Sequence, residues 1–108
     1  MTELHILYSN RSASFLCLGD EKNALEDAER CVELRPEWFK GYYRLAQVYL
    51  RIGRAQDAYS KLQVSKSKTV NAKDLSLIDA LEKKHNNNEE IPENSGDSFF
   101  GILQKVME

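Results

Sequence analysis

At 108 residues the chain is one domain's worth, with room for a modest core. Its 15 lysines and arginines against 17 aspartates and glutamates leave a formal net charge of -2, so electrostatics give no reason to expect nucleic acid or an anionic membrane as the main partner. Cys17 and Cys31 lack Cys-x-x-Cys spacing and are too few for a disulfide scaffold. There is no signal-like apolar stretch near Met1 and no apolar run long enough to span a bilayer, so reduced thiols in a cytoplasmic protein are expected.

Taken in chain order, the pattern predicts five helices. The first covers about residues 3–18, where Leu4, Leu7, Tyr8, Phe15 and Leu18 recur at helical spacing and Gly19-Asp20 interrupts the run. Asn10-Arg11-Ser12 within it has the form of a glycosylation acceptor, discounted in the absence of a secretory signal. The second helix, about 21–34, is ended by Arg35-Pro36, because proline disfavours a helical residue before it. The third, about 38–52, carries Leu45, Val48, Tyr49 and Ile52 on one face and stops at Gly53-Arg54, and a fourth follows over 55–67. Residues 72–85 form a fifth, with Leu75, Leu77, Ile78 and Leu81 as its apolar positions. The polar tract His85-Asn86-Asn87-Asn88-Glu89-Glu90 then breaks the pattern, and Pro92, Asn94, Ser95 and Gly96 extend it as a linker. Phe99, Phe100, Leu103, Val106 and Met107 make one stripe on a last short helix over 98–108.

A shift of 34 residues lays the chain on itself: Tyr8 falls on Tyr42, Phe15 on Tyr49, Leu16 on Leu50, Gly19 on Gly53 and Ala24 on Ala58. With Ser12 and Ala46 at the small position of each first helix and Pro36 between the units, residues 3–67 resemble the tetratricopeptide-repeat (TPR) family. The resemblance implies an all-α solenoid of antiparallel helix pairs. Residues 1–85 are then the TPR domain, with repeats about 5–38 and 39–71 and a capping helix about 72–85. Residues 86–97 are a polar linker and 98–108 a short amphipathic helix. Small residues let paired helices approach closely, while the aromatics fill the space between repeats. Thr2 to Tyr8 looks like a junction between repeats, so either a repeat precedes Met1 in a longer protein or the exposed first face is covered by self-association.

In that family the first helix of each repeat lines a concave groove. Lys40 and Arg44, four residues apart, share one helical face, and Asn10 occupies the same repeat position as Arg44. Two cations and an amide converging in a concavity suit a carboxylate. The strings Leu7-Tyr8-Ser9-Asn10-Arg11-Ser12-Ala13 and Lys40-Gly41-Tyr42-Tyr43-Arg44 are similar to the carboxylate-clamp TPR domains of cochaperones. Those domains hold the acidic C-terminal tail of 70- and 90-kDa heat-shock chaperones. The resemblance implies that Asn10 bonds the terminal carboxylate and that Lys40 and Arg44 hold the acidic side chain and backbone. The family's remaining lysine and asparagine belong to a repeat not contained in this sequence. Phe39 and Tyr43 flank the cations as candidate apolar walls, although Phe39 is equally suited to packing with Trp38.

No enzyme chemistry is legible. His5 and His85 lie at opposite ends of the repeat region, Cys31 stands where repeats carry a small buried residue, and neither a metal-ligand spacing nor a phosphate loop occurs, so no cofactor is expected. The rival reading is a TPR scaffold that recognises a folded partner, or itself, without a carboxylate tail. The stripe at 98–108 favours it, since an amphipathic helix can dock in a neighbouring groove.

Overall fold

A computed structural model describes residues 3–90, with side chains to residue 84. Five helices follow one another: α1 Leu4–Cys17, α2 Glu21–Leu34, α3 Phe39–Arg51, α4 Ala55–Ser67 and α5 Ala72–Glu90. No strand occurs among the described residues. The expected helix over 98–108 lies outside them, as does the expected linker beyond residue 90.

The ends of the helices repeat as the sequence does. Gly19 and Gly53 take left-handed φ angles of 81° and 84°. Around Gly19, the N–H of Asp20 donates to the Phe15 carbonyl at 2.8 Å and that of Gly19 to the Leu16 carbonyl at 3.0 Å. Around Gly53, Arg54 donates to Tyr49 at 2.8 Å and Gly53 to Leu50 at 3.2 Å. Each is a Schellman ending, which satisfies otherwise orphaned carbonyls and needs a residue that tolerates positive φ. Asp20 then caps α2 by accepting from the Asn23 N–H. Asn71 does the same for α5, accepting from the N–H groups of Lys73 and Asp74 at 2.8 and 3.2 Å.

Packing within each pair rests on small side chains. Ala24, Ala28, Ala46 and Ala58 have no exposed surface. Between α1 and α2 the Ser12 hydroxyl donates to the Ala24 carbonyl at 2.8 Å, and Arg11 reaches Asp27 through two N–H groups at 2.9 and 3.2 Å. Between α2 and α3 the close approach falls at Gly41, where an added Cβ would sit 2.9 Å from Val32 Cγ2 and 3.3 Å from Cys31 Sγ. One core cluster joins Phe39, Tyr43, Ala46, Leu62, Ile78 and Leu81, so it spans α3, α4 and α5. A second joins Leu16, Ala24 and Val48 across the two repeats. Arg51 adds a polar tie, with both terminal amino groups donating to the Leu16 carbonyl at 2.9 and 3.1 Å. A cation at a helix C-terminus contributes about 0.3–1 kcal/mol at an exposed position.

The expected apolar face of α1 is divided. Leu16 enters the core, whereas Leu4, Leu7 and Leu18 are 42, 52 and 79% exposed. On α5, Ile78 and Leu81 are buried and Leu75 packs beside them, while Leu77 points outward. The polar tract from His85 to Glu90 continues α5 instead of breaking it. Loss of apolar periodicity does not end backbone hydrogen bonding, and no glycine or proline stands between Ala72 and Pro92 to stop the helix.

Each helix packs on its successor. In addition α1 touches α3 and α3 touches α5, whereas α2 and α4 do not meet. The helices α1, α3 and α5 therefore form an inner row with α2 and α4 splayed behind it. A row that is tight on one side and open on the other curves toward the tight side, so α1, α3 and α5 line the concave surface.

Candidate functional site: the concave face of the inner helices

Arg44 is the centre of this face. Its Nε donates to the Ser9 hydroxyl of α1 at 3.0 Å, and Nη1 donates to Gln47 Oε1, one turn further along α3, at 2.9 Å. The guanidinium lies 5.6 Å from the centroid of the Tyr43 ring. Ser9 is fully buried and Tyr43 is 7% exposed, so both orienting groups are fixed by packing. Burial lowers the pKa of Arg44 and raises that of Tyr43, in each case because the charged form loses hydration. The same desolvation pushes the Cys31 thiol up to about 11, against an opposing pull from Arg44.

Arg44 has no carboxylate partner among the described residues. Both of these acceptors are neutral, and Nη2 has no acceptor among the described residues. A half-buried guanidinium held by neutral groups is arranged to receive an anion, because buried charge is favourable only when it is paired and hydrogen-bonded. Asn10 follows Ser9 on α1 and is exposed, and its side-chain amide has no partner among the described residues. Lys40 lies one turn before Arg44, is half-exposed, and likewise has no described partner.

Further along the inner row two adjoining hollows of 320 and 350 Å³ open between α3 and α5. Both are lined by Gln47, Leu81 and Lys84; one adds Leu16, Leu50 and Arg51, the other Tyr43, Ala80 and Lys83. Their size falls within the range of ligand-binding clefts, about 300–1,000 Å³.

No protein-family model matches the chain. Individual proteins do. It is 41% identical over 78 residues to the STIP1 homolog of Dictyostelium discoideum, covering 72% of this chain and 14% of that protein. It is 37% identical over 84 residues to the heat shock protein STI1 of Saccharomyces cerevisiae, covering 78% of this chain and 14% of that one. With the Hsp70-Hsp90 organizing protein of Triticum aestivum the identity is 50% over 54 residues, half of this chain and 9% of the relative. Identity at that level over most of the chain, together with two successive helix pairs in this structure, decides the matter. The chain is a tetratricopeptide-repeat unit. Its homologues include Hsp70–Hsp90 organising proteins, and it spans about a seventh of the length of the first two relatives it matches.

Within the TPR unit, the residues singled out in the sequence fall into two groups. Asn10, Lys40 and Arg44 sit on the two inner helices α1 and α3, with Arg44 bridging to α1 through Ser9. Tyr43 lines the groove from below as well as belonging to the core. Phe39 is 6% exposed and packs with Leu62 and Ile78, next to Trp38 at a ring separation of 6.5 Å. It lines neither hollow, and its carbonyl accepts from the buried Ser65 hydroxyl at 3.0 Å. Sequence reasoning missed Ser9 and Gln47 as the groups that orient Arg44. The spacing of Gln47 three residues beyond Arg44 is a signal for it; for Ser9 the signal is the repeat register, which places it with Asn10 among the groove-lining positions of the first repeat. The α5 contribution to the groove was also missed, since a capping helix was read only for its apolar side.

Among the described residues no group of three or more His, Cys, Asp or Glu side chains could hold a metal ion. No described helix is long and apolar enough to cross a membrane.

Proposed function

We propose that this TPR unit is a cochaperone-type adaptor that binds the acidic C-terminal tail of a 70- or 90-kDa heat-shock chaperone on its concave face. The observation that carries the reading is Arg44: a desolvated guanidinium aimed by Ser9 and Gln47 that has no carboxylate partner among the described residues, on the same inner helices as Asn10 and Lys40. In this reading Asn10 donates to the terminal main-chain carboxylate. Lys40 and Arg44 hold the acidic side chain and backbone of the last residues, and Tyr43 supplies the apolar surface beneath them. The kinship with Hsp70–Hsp90 organising proteins supports the choice of partner.

The test is titration with a peptide ending in a free Asp carboxylate and with its C-terminally amidated counterpart. Charged hydrogen bonds contribute about 1.5–3 kcal/mol each, so amidation is expected to weaken binding at least about tenfold. Lys40→Ala and Arg44→Ala are each expected to weaken the acid form while leaving helical content unchanged. Equal affinity for acid and amide would remove the reading.

A further inference from the structure

An apolar face is left open on the side of α1 away from α3. Leu4 and Leu7, one turn apart, are 42 and 52% exposed, and Leu34 at the end of α2 is 39% exposed. Leu4 and Leu34 line a crevice of 80 Å³ together with His5 and Arg35. In the repeat register Leu7 stands where α3 carries Gly41, the point at which α3 meets α2, so Leu7 faces the side opposite α3.

A second copy stacked end to end does not fit this face. It would present its α5, an inner helix, with no outer helix behind it, whereas α3 is packed by both α1 and the outer helix α2. The complement lies in the sequence instead. Phe99, Phe100, Leu103, Val106 and Met107 recur at helical spacing, and Asp97 just before them matches Arg35 at the crevice. The same segment has no seat on α5. Where α1 and α3 turn Tyr8, Phe15, Tyr42 and Tyr49 to the outer helices, the register gives α5 Ser76 and Lys83, both exposed.

We propose that residues 98–108 of a second copy dock as an amphipathic helix on the open side of α1, with Phe99 and Phe100 against Leu4, Leu7 and Leu34. Two copies exchange these segments reciprocally. Reach decides against a chain covering its own face. By the repeat register Leu75 is level with Leu7, so Glu90 lies about 22 Å beyond that level at 1.5 Å per residue. Three interhelical spacings of about 8–10 Å separate the axis of α5 from that of a helix lying outside α1. The straight line is then about 33–37 Å, whereas the eight steps from Glu90 to Ser98 extend to only about 26–29 Å. A second copy carries no such restraint. This surface is separate from the concave face and independent of the carboxylate reading.

The experiment is light scattering on the full chain over a concentration series, under reducing conditions because Cys17 is exposed. The unmodified chain is expected to approach twice its own mass. Leu7→Lys or Leu4→Lys on the face, and Leu103→Lys in the segment, are each expected to raise the dissociation constant at least about tenfold, since each sets a charge into an apolar contact. Circular dichroism checks that the variants are folded. The deciding sample is an equimolar mixture of Leu7→Lys and Leu103→Lys. One copy keeps its segment and the other its face, so the mixture regains one of the two contacts, read as raised anisotropy of a labelled Leu7→Lys chain. A single-chain mass for the unmodified protein at every concentration overturns the proposal. So does association that survives Leu103→Lys, which would mean that the faces pair directly. Association that survives both Leu4→Lys and Leu7→Lys, or a mixture that forms no heterodimer, overturns it as well.

Discussion

Cys31 and Cys17 have the same chemistry and opposite surroundings. Cys31 is fully buried against Gly41, and desolvation lifts its thiol from an ordinary value of 9.0 to about 11. Cys17 is exposed. An aromatic disulfide reagent near neutral pH is expected to titrate one thiol in the folded chain and two after denaturation, because the thiolate is the reactive species. Cys31 also gives stability a direction in alkali. Its folded pKa exceeds the unfolded one, so its contribution is complete below about 9 and is lost as pH rises toward about 11. Urea midpoints that fall across that interval, and fall less in Cys31→Ala, would check it. The burial of Cys31 was legible, since it occupies a repeat position that takes a small buried side chain. Its coupling to Arg44 was not, because a contact between α2 and α3 has no sequence period.

At the scale of helices, the tolerance for added volume is set by the alanines. Ala24 has no exposed surface and its carbonyl is held by Ser12, so Ala24→Leu is expected to overpack the first pair and cost about 1–3 kcal/mol. Ile78 is the fully buried anchor of α5, and Ile78→Ala is expected to cost about 2–5 kcal/mol and to weaken peptide binding by loosening α5. Thermal melts followed at the helical signal give both values. The boundaries of these elements show what a sequence encodes locally. Gly19 and Gly53 announced their endings because left-handed φ is available to few other residues. The end of α5 was placed five residues too early, since a polar run removes the core-facing signal while leaving the helix intact. Residues 83 and 84 were passed over for the same reason: two lysines in sequence look solvated, and only the packing of α5 against α3 puts them beside a groove.

At the scale of the whole array, α5 packs on α3 and α4 at one end, while among the described residues the α1 end keeps apolar side chains exposed. On α1, Leu4, Ile6 and Leu7 are 42, 37 and 52% exposed, with Leu34 of α2 at 39% beside them. Burial of a large apolar side chain is worth about 1.5–3 kcal/mol when complete, so covering this partly exposed face by association is favourable. Light scattering over a concentration series is expected to show growth in mean mass that Leu7→Lys suppresses, and removal of residues 98–108 shows whether that segment provides the cover. At the junction between the repeats, Gly41 has a further consequence. It lies next to Lys40, on the helix that carries Arg44, and its missing Cβ is what lets α3 settle against Val32 and Cys31. The close approach of α2 and α3 at this point therefore depends on an absent methyl group. A side chain at position 41 would force Val32 Cγ2 to shift, or α3 to move away from α2. If the proposed clamp holds, Gly41 helps set the distance between its Asn10 rung and its Lys40–Arg44 rung, and with it the spacing of negative charges that both can meet.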